Sequence, residues 1–414
     1  MTSTQILQII LLLTGVGFLL DQLLDYLNVR YLRDDLPREL SSIYNESEYR
    51  KSVVYQRAQT RFGFATSLVS FVVSFAMLAW GGFGGFDAWL RQGISDPVVL
   101  SLTFFAGLMI AGDLLTTPFQ WYGTFVLEAR FGFNKTTPRT FVLDKLKGYL
   151  LGIVLGGPLL WLLLFLVQQV GRDFWWMFWI AITAFSLFMN VFYSSLILPL
   201  FNTLKPLQDG DLKHSIERYA ERVNFPLTQI LVMDGSRRSN KSNAFFAGLG
   251  KQKKVVLYDT LIENHSTEEL VSVLAHEVGH YKKQHIVLGL MVSVVQTGLM
   301  LYLLQYFIFN ENLSLALGGT EYAIHLNLIA FAILYGPIST ILGLLGNFLS
   351  RKNEYEADAY AARTFGAEPL QSALKKLSVH NLSNLTPHPW YVFFNYSHPP
   401  LLQRIRAIDR IKNL

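Results

Sequence analysis

Apolar residues in this chain gather into seven long runs, and the polar residues collect between them: 6–20, 62–80, 98–115, 149–170, 174–200, 286–309 and 323–349. Each is near the ~20 residues that cross a bilayer as a helix, so seven spans are expected. The first has no Lys or Arg before it and no small-residue cleavage site after it. It reads as an uncleaved span, extended by the amphipathic stretch 23–32. Gly152, Gly156, Gly157 and Pro158 should kink the fourth. Asp113 lies deep in the third, either facing a water-filled interior or paired inside a packed bundle.

Charge orients these spans. The first connection carries Arg30, Arg33, Arg38, Arg50, Lys51, Arg57 and Arg61, the second only Arg91; the third carries Arg130, Lys135, Arg139, Lys145 and Lys147, the fourth only Arg172. The alternation puts the amino terminus outside, with the odd connections and the carboxyl terminus in the cytoplasm. The chain then divides into a membrane part with five spans (1–201), a cytosolic segment (202–285), a membrane hairpin (286–349) and a cytosolic tail (350–414). Within 202–285 a surface helix is expected at 211–223 and short strands at 228–233 and 254–258, joined through the turn-rich DGSRRSNKSN. An edge strand there would suit an extended peptide held by main-chain hydrogen bonds.

Composition agrees with a mainly α, multi-span membrane protein: 51% of residues are hydrophobic, 16% are charged, and mean hydropathy is +0.31. The absence of cysteine excludes disulfides, thiolate catalysis and cysteine-held zinc. Any metal must be held by His, Asp and Glu. No basic run is dense enough for nucleic acid.

The candidate chemistry lies in VSVLAHEVGHY (Val271 to Tyr281). On a helix His276 and His280 lie one turn apart on the same face and can aim two imidazoles at one ion, with Glu277 beside them to take a proton from water. Two histidines leave a zinc ion short of a third protein ligand and an open position, the arrangement of a catalytic site. Ser266-Thr-Glu-Glu269 is a capping box that starts the helix one turn earlier. The plainer alternative, two satisfied core histidines, leaves Glu277 in apolar surroundings without a partner.

A third ligand should follow Leu349, because the last two spans form a hairpin whose cytoplasmic ends meet. In SRKNEYEADAYAAR, at ~100° per residue, Glu354, Asp358, Ala361 and Phe365 share one face and Lys352, Glu356 and Arg363 the opposite, solvated one. Glu354 is therefore the expected ligand and Asp358 a carboxylate orienting a ligand histidine. Pairing of both acids with Arg351 and nearby lysines is the alternative.

LAHEVGHYKKQH followed by NFLSRKNEYEADAYA resembles the type I CAAX prenyl proteases, membrane zinc endopeptidases that remove the last three residues of prenylated proteins and cleave again upstream. LEARFGFNKTTPRTFVLDKLKG (Leu127 to Gly148), LPLFNTLKPLQDGDLK (Leu198 to Lys213), DGSRRSNKSNAFFAG (Asp234 to Gly248) and NYSHPPLLQRI (Asn395 to Ile405) match further blocks of that family. The resemblance implies a seven-helix transmembrane barrel enclosing a chamber, with one zinc ion held by His276, His280 and Glu354 and with Glu277 as the catalytic glutamate. It also implies that Asn243 and His398 hold the substrate backbone, His398 stabilising the oxyanion, and that Asn347, Arg351 and Asp358 are supporting polar residues. The implied partners are the lipid bilayer and a peptide or protein substrate, prenylated or not; no oligomeric state follows. Lys241 stands where the family commonly has histidine before SNA. A short loop after the sixth span and a carboxyl-terminal KNL without a retrieval signal fit a compact, bacterial-type member, in the inner membrane; a eukaryotic member would sit in the endoplasmic reticulum. Two alternatives accompany this reading: a protease of damaged membrane proteins that needs no prenyl group, and a transporter with an inert H-E-x-x-H.

Overall fold

The computed structural model describes residues 1–36, 41, 45–247 and 253–412; Arg38, Gly248 and the chain end at 413–414 lie outside them. The first half is helical: α1 (Ser3–Tyr31), α2 (Glu46–Ala79), α3 (Gly82–Arg91), α4 (Pro97–Tyr122), α5 (Pro138–Leu151), α6 (Gly157–Val170), α7 (Phe174–Leu196) and α8 (Leu198–Phe201). Between α5 and α6 the helix widens into a π-helical turn at Gly152–Gly156, the form taken by the kink expected there. A second π turn, Gly123–Glu128, follows α4.

Among the described residues, six continuous helical runs are long and apolar enough to cross a membrane. The longest, Pro138–Phe201, is interrupted by a 3-10 turn at Gly171–Asp173, where Gly171 has φ 70°. Beyond that turn α6 and α7 pack together through Leu164, Val167, Phe174 and Phe178. The turn divides that run into two apolar stretches, at the positions of the fourth and fifth apolar runs of the sequence. Only 6–17% of each apolar window is buried. A solid bundle would bury a stripe on every helix. A wall one helix thick leaves two faces open, one to lipid and one to a chamber.

The soluble part begins with β1 (Leu204–Pro206), α9 (Asp211–Arg222), β2 (Leu227–Met233), β3 (Ala244–Ala247) and β4 (Lys253–Tyr258), then α10 (Asp259–Asn264) and α11 (Thr267–Lys282). The sheet order is β1-β2-β4-β3, with β2 and β4 parallel and both outer pairs antiparallel. The two strands read from sequence are the central pair, and the connection between them contains an edge strand of its own. α9 is less solvated than its charges suggest: Ile216, Tyr219 and Ala220 are buried. α12 (His285–Phe307) and α14 (Ile324–Thr364) form the hairpin around the short α13 (Glu311–Ala316); α15 (Ala367–His380), α16 (Pro389–Asn395) and α17 (Leu401–Lys412) complete the chain.

One core joins these parts. Val255 and Leu257 of β4, Leu274 and Val278 of α11, Leu370 of α15 and Ile408 of α17 pack with Tyr49 and Val53, from the first turns of α2. α2 thus starts well before its apolar run, and its leading turns belong to the soluble core. Arg238, in the β2–β3 connection, grips Asp144 of α5 with two bonds of 2.8 and 2.9 Å. Asp113 is paired: Lys145 Nζ lies 2.5 and 2.7 Å from its two oxygens, and Tyr149 and Thr117 donate to it. It is thus paired, as one reading expected, but not packed, since about a quarter of its side chain stays exposed on an open helix.

The capping box of α11 is present. Glu269 N–H donates to Ser266 Oγ at 3.3 Å, and Ser266 N–H to Glu269 Oε2 at 2.8 Å. Glu269 is buried and is also held by Ser372 Oγ (2.6 Å) and Lys376 Nζ (2.8 Å), so the cap ties α11 to α15. Burial acts to raise its pKa, but Lys376, Ser372 and the Ser266 N–H outweigh it and leave the carboxyl below its ordinary value. Glu269→Ala should lower the unfolding free energy in detergent by about 1–3 kcal/mol. A folded-state pKa that is depressed makes this contribution full above the ordinary glutamate range and lost as pH falls through the lowered value. The gap between wild type and variant should therefore narrow in acid, which denaturation at several pH values measures.

Candidate active site

The site forms where α11 crosses α14. A Cβ on Gly279 would lie 2.9 Å from Ala357 Cα and 3.0 Å from its carbonyl oxygen, so here the two helices meet backbone to backbone. His276 and His280, on the face of α11 that includes Gly279, are thereby pressed against Glu354 and Asp358 on α14. His276 Nε2 lies 3.2 Å from His280 Nε2, Glu354 Oε1 3.2 Å from His280 Nε2, and Glu354 Oε2 3.5 Å from His276 Nε2. Atoms bound at 2.0–2.1 Å to one tetrahedral zinc sit about 3.3 Å apart, so the three groups fit such an ion. Two ring nitrogens facing each other at this distance need a proton or a cation between them. Glu354 Oε2 is buried and has no hydrogen bond of proper direction, although His398 Nδ1 is only 2.9 Å away. An acceptor left in this state fits a metal ligand.

Each of these two histidines has a partner behind it. His276 Nδ1 lies 2.9 Å from Asp358 Oδ1, and Asp358 accepts two bonds, 2.7 and 2.8 Å, from Arg404 of α17. Burial acts to lower the pKa of His276, but Asp358 and Glu354 outweigh it and raise it to about 9. A metal ion must displace that proton. His280 Nδ1 lies 3.1 Å from His285 Nδ1, and His285 Nε2 3.2 Å from Glu356 Oε2. With His280 Nε2 turned to a metal, its Nδ1 carries the proton, His285 Nδ1 accepts it, and His285 Nε2–H donates to Glu356. His285 can make this bond because α11 ends at Lys282 and Gln284, at φ 58°, turns the chain back before α12 begins. Glu277, beside the ligands, has its carboxyl raised by burial against the lowering pull of His276 and His280. That direction suits a general base.

The other residues named from sequence lie at graded distances from this cluster. His398 reaches Glu354, while Asn347 Nδ2 donates to Phe394 O at 2.8 Å and Arg351 to Tyr396 O at 2.5 Å. Asn347 and Arg351 therefore brace the segment that carries His398. Arg351 does not pair with Glu354 or Asp358. Asn243 immediately precedes the edge strand β3, which touches α11, and its side-chain oxygen accepts from Ala244 N–H at 2.8 Å. Lys241 is taken up elsewhere: its Nζ lies 2.9 Å from Tyr55 Oη, 3.1 Å from Glu128 Oε2 and 4.6 Å from the centre of the Phe133 ring.

Glu356 corrects the expectation of a solvated face: it is half-buried and meets His285. Sequence reasoning also passed over His285 and Arg404. Arg404 left a signal, since it stands on one stripe with the buried Leu401 and Ile408, and a cation there needs a buried acid. His285 left only its place at the head of an apolar run.

Fold and site together define a membrane-embedded metallopeptidase. Residues 25–203 match the family described as CAAX prenyl protease N-terminal, five membrane helices, and residues 206–412 match peptidase family M48. The chain is 36% identical to the CAAX prenyl protease 1 homolog of Arabidopsis thaliana, over 96% of this chain and 97% of that one. It is 33% identical to CAAX prenyl protease 1 of Saccharomyces cerevisiae, over 91% and 89%. The crystal structure of S. mikatae Ste24p superposes with a TM-score of 0.93 at 32% identity, covering 98% of this chain and 99% of that one. The chain belongs to the CAAX prenyl protease 1 family of M48 peptidases, whose chemistry requires a metal.

His285→Ala removes the acceptor behind His280. The expected result is metal affinity weakened about 10–100-fold, measured by competition with a chromophoric chelator.

Proposed function

We propose that this chain is a zinc endopeptidase, with one ion per chain held by His276, His280 and Glu354, that removes the last three residues from prenylated CAAX-type carboxyl termini. The observation that carries the reading is the convergence of those three side chains, with Glu277 beside them, at the end of a hollow membrane domain. The family's named activity supports the substrate class. The alternation of basic connections supports a cytoplasmic active site and an outside amino terminus, in the inner membrane of a bacterium or the endoplasmic reticulum of a eukaryote.

When bound, zinc supplies Lewis acidity and lowers the pKa of water toward ~7. The chain's residues do the rest. The edge of β3, opened by Asn243, holds the substrate as an added strand, so that its backbone lies along α11. Glu277 accepts a proton from the attacking water and delivers it to the amine that leaves as the carbon–nitrogen bond breaks. His398 keeps Nδ1 toward Glu354 and offers Nε2–H to the oxygen on which negative charge develops. Asn347 and Arg351 hold the His398 segment in place, and Arg404 keeps Asp358 charged and aimed at His276.

Glu277→Gln keeps the shape of the site and loses the base. It should bind zinc as the wild type does and hydrolyse a farnesylated CAAX peptide about 100–10,000-fold more slowly, as read by single-turnover kinetics beside metal analysis. Undiminished turnover would remove Glu277 from the mechanism.

A further inference from the structure

A sheet edge holds a peptide without counting its residues. Main-chain hydrogen bonds repeat at every second residue, so a strand added to β3 could slide by two and keep both its bonds and the facing of its side chains. An enzyme that removes three residues has to stop that slide. The structure places one side chain where a stop would act, on the free edge of β3.

Alternation shows which residues face that edge. Asn243 O accepts from Tyr258 N–H at 3.2 Å, so Asn243 turns its backbone toward β4, and Phe245, opposite Val256, follows it. Ala244 and Phe246 then present N–H and C=O to the other side, where among the described residues no further strand lies. Ser242, one residue before Asn243, faces that same side and is not open. Its N–H donates to Asn381 Oδ1 at 3.1 Å, and Asn381 Nδ2 donates to its carbonyl at 3.2 Å. A residue of a neighbouring strand would make this same pair of bonds. The Asn381 amide therefore occupies the place of a residue in an added strand, two along from the residue that would meet Ala244.

Asn381 is fixed from behind. It caps α15, with its N–H on Leu377 O at 3.0 Å, and the next residue, Leu382, has φ 49° where glycine is usual. Leu382 is kept in that conformation by its surroundings: its side chain is buried with Tyr55, Phe131 and Phe133, and its carbonyl accepts from Gln56 Nε2 at 2.7 Å. The end of α15 is thus anchored on α2 while its cap reaches the segment that leads into β3.

We propose that Asn381 is a register stop. It blocks the free edge of β3 at Ser242, so that a substrate strand pairs with Ala244 and Phe246 in one register and presents one bond to the metal ligands. The inference rests on the reading above that β3 holds the substrate.

Asn381→Ala, in the full chain, opens Ser242 N–H and C=O to the peptide. The probe is a farnesylated CAAX peptide whose products are identified by mass spectrometry. The wild type should cut one bond near the carboxyl end, ahead of the last three residues. The variant should divide its cuts between that bond and one displaced by two residues, the second taking about a tenth or more, at unchanged zinc content. A variant that is slower but cuts the single bond would overturn the stop, because a merely structural loss changes rate and not position. A wild type that leaves the last three residues in place would overturn the substrate reading, and with it the stop as a measure of three. A second measurement uses the wild type alone. The same peptide, with its scissile amide reduced and a photoreactive residue moved along it one position at a time, should label 378–384 from one position only. Labelling from several alternate positions, or from none, would refute the stop however the variant behaves.

Discussion

The contact between Gly279 and Ala357 is the constraint on which the rest depends. It brings two helices from separate parts of the chain close enough for three side chains to converge as a metal site would require, and any side chain at 279 would force them apart. Their approach gathers His276, His280, Glu277, Glu354 and Asp358 into a small, largely buried volume. Such a concentration of ionisable groups is costly unless every one has a partner. Arg404 answers Asp358, Glu356 answers His285, and a buried atom left without a hydrogen bond, Glu354 Oε2, is one that a metal would use.

The membrane part and the soluble part are a single construction. α12 and α14 carry the site's histidine partner and its carboxylates on the same helices that cross the bilayer, so site geometry and hairpin geometry cannot vary independently. Further ties run through Arg238 on Asp144 and Lys241 on Glu128, which anchor the connection leading into the edge strand. The leading turns of α2 lie in the soluble core beside α9 and β4. A peptide in the chamber would thus meet a strand edge and a metal centre whose spacing is set by membrane helices.

Much of this was legible in the sequence, for physical reasons. Spans could be read because a bilayer demands a helix of set length, and the Gly171 break appears only as the gap between two apolar runs. His276 and His280 could be paired because the i, i+4 relation is local, and Glu354 was separated from Glu356 by its face. The same wheel misjudged Glu356, since it gives a direction from one axis and not what another helix brings there; His285 arrives from the start of α12. β3 escaped notice because Ala244–Ala247 is too short to show alternation, and β1 because it holds Pro206. Arg404 was within reach, as a cation on an apolar stripe. Asn243 and His398 had no local signal beyond turn chemistry, and only the family resemblance marked them.

The most direct test of the central claim, that one ion is shared by α11 and α14, is the zinc content of the purified protein, measured by mass spectrometry beside Glu354→Ala and Glu356→Ala. One zinc per chain in the wild type, loss with Glu354→Ala and retention with Glu356→Ala is the expected outcome. Full zinc occupancy in Glu354→Ala would contradict it, because the ion would then be held without α14.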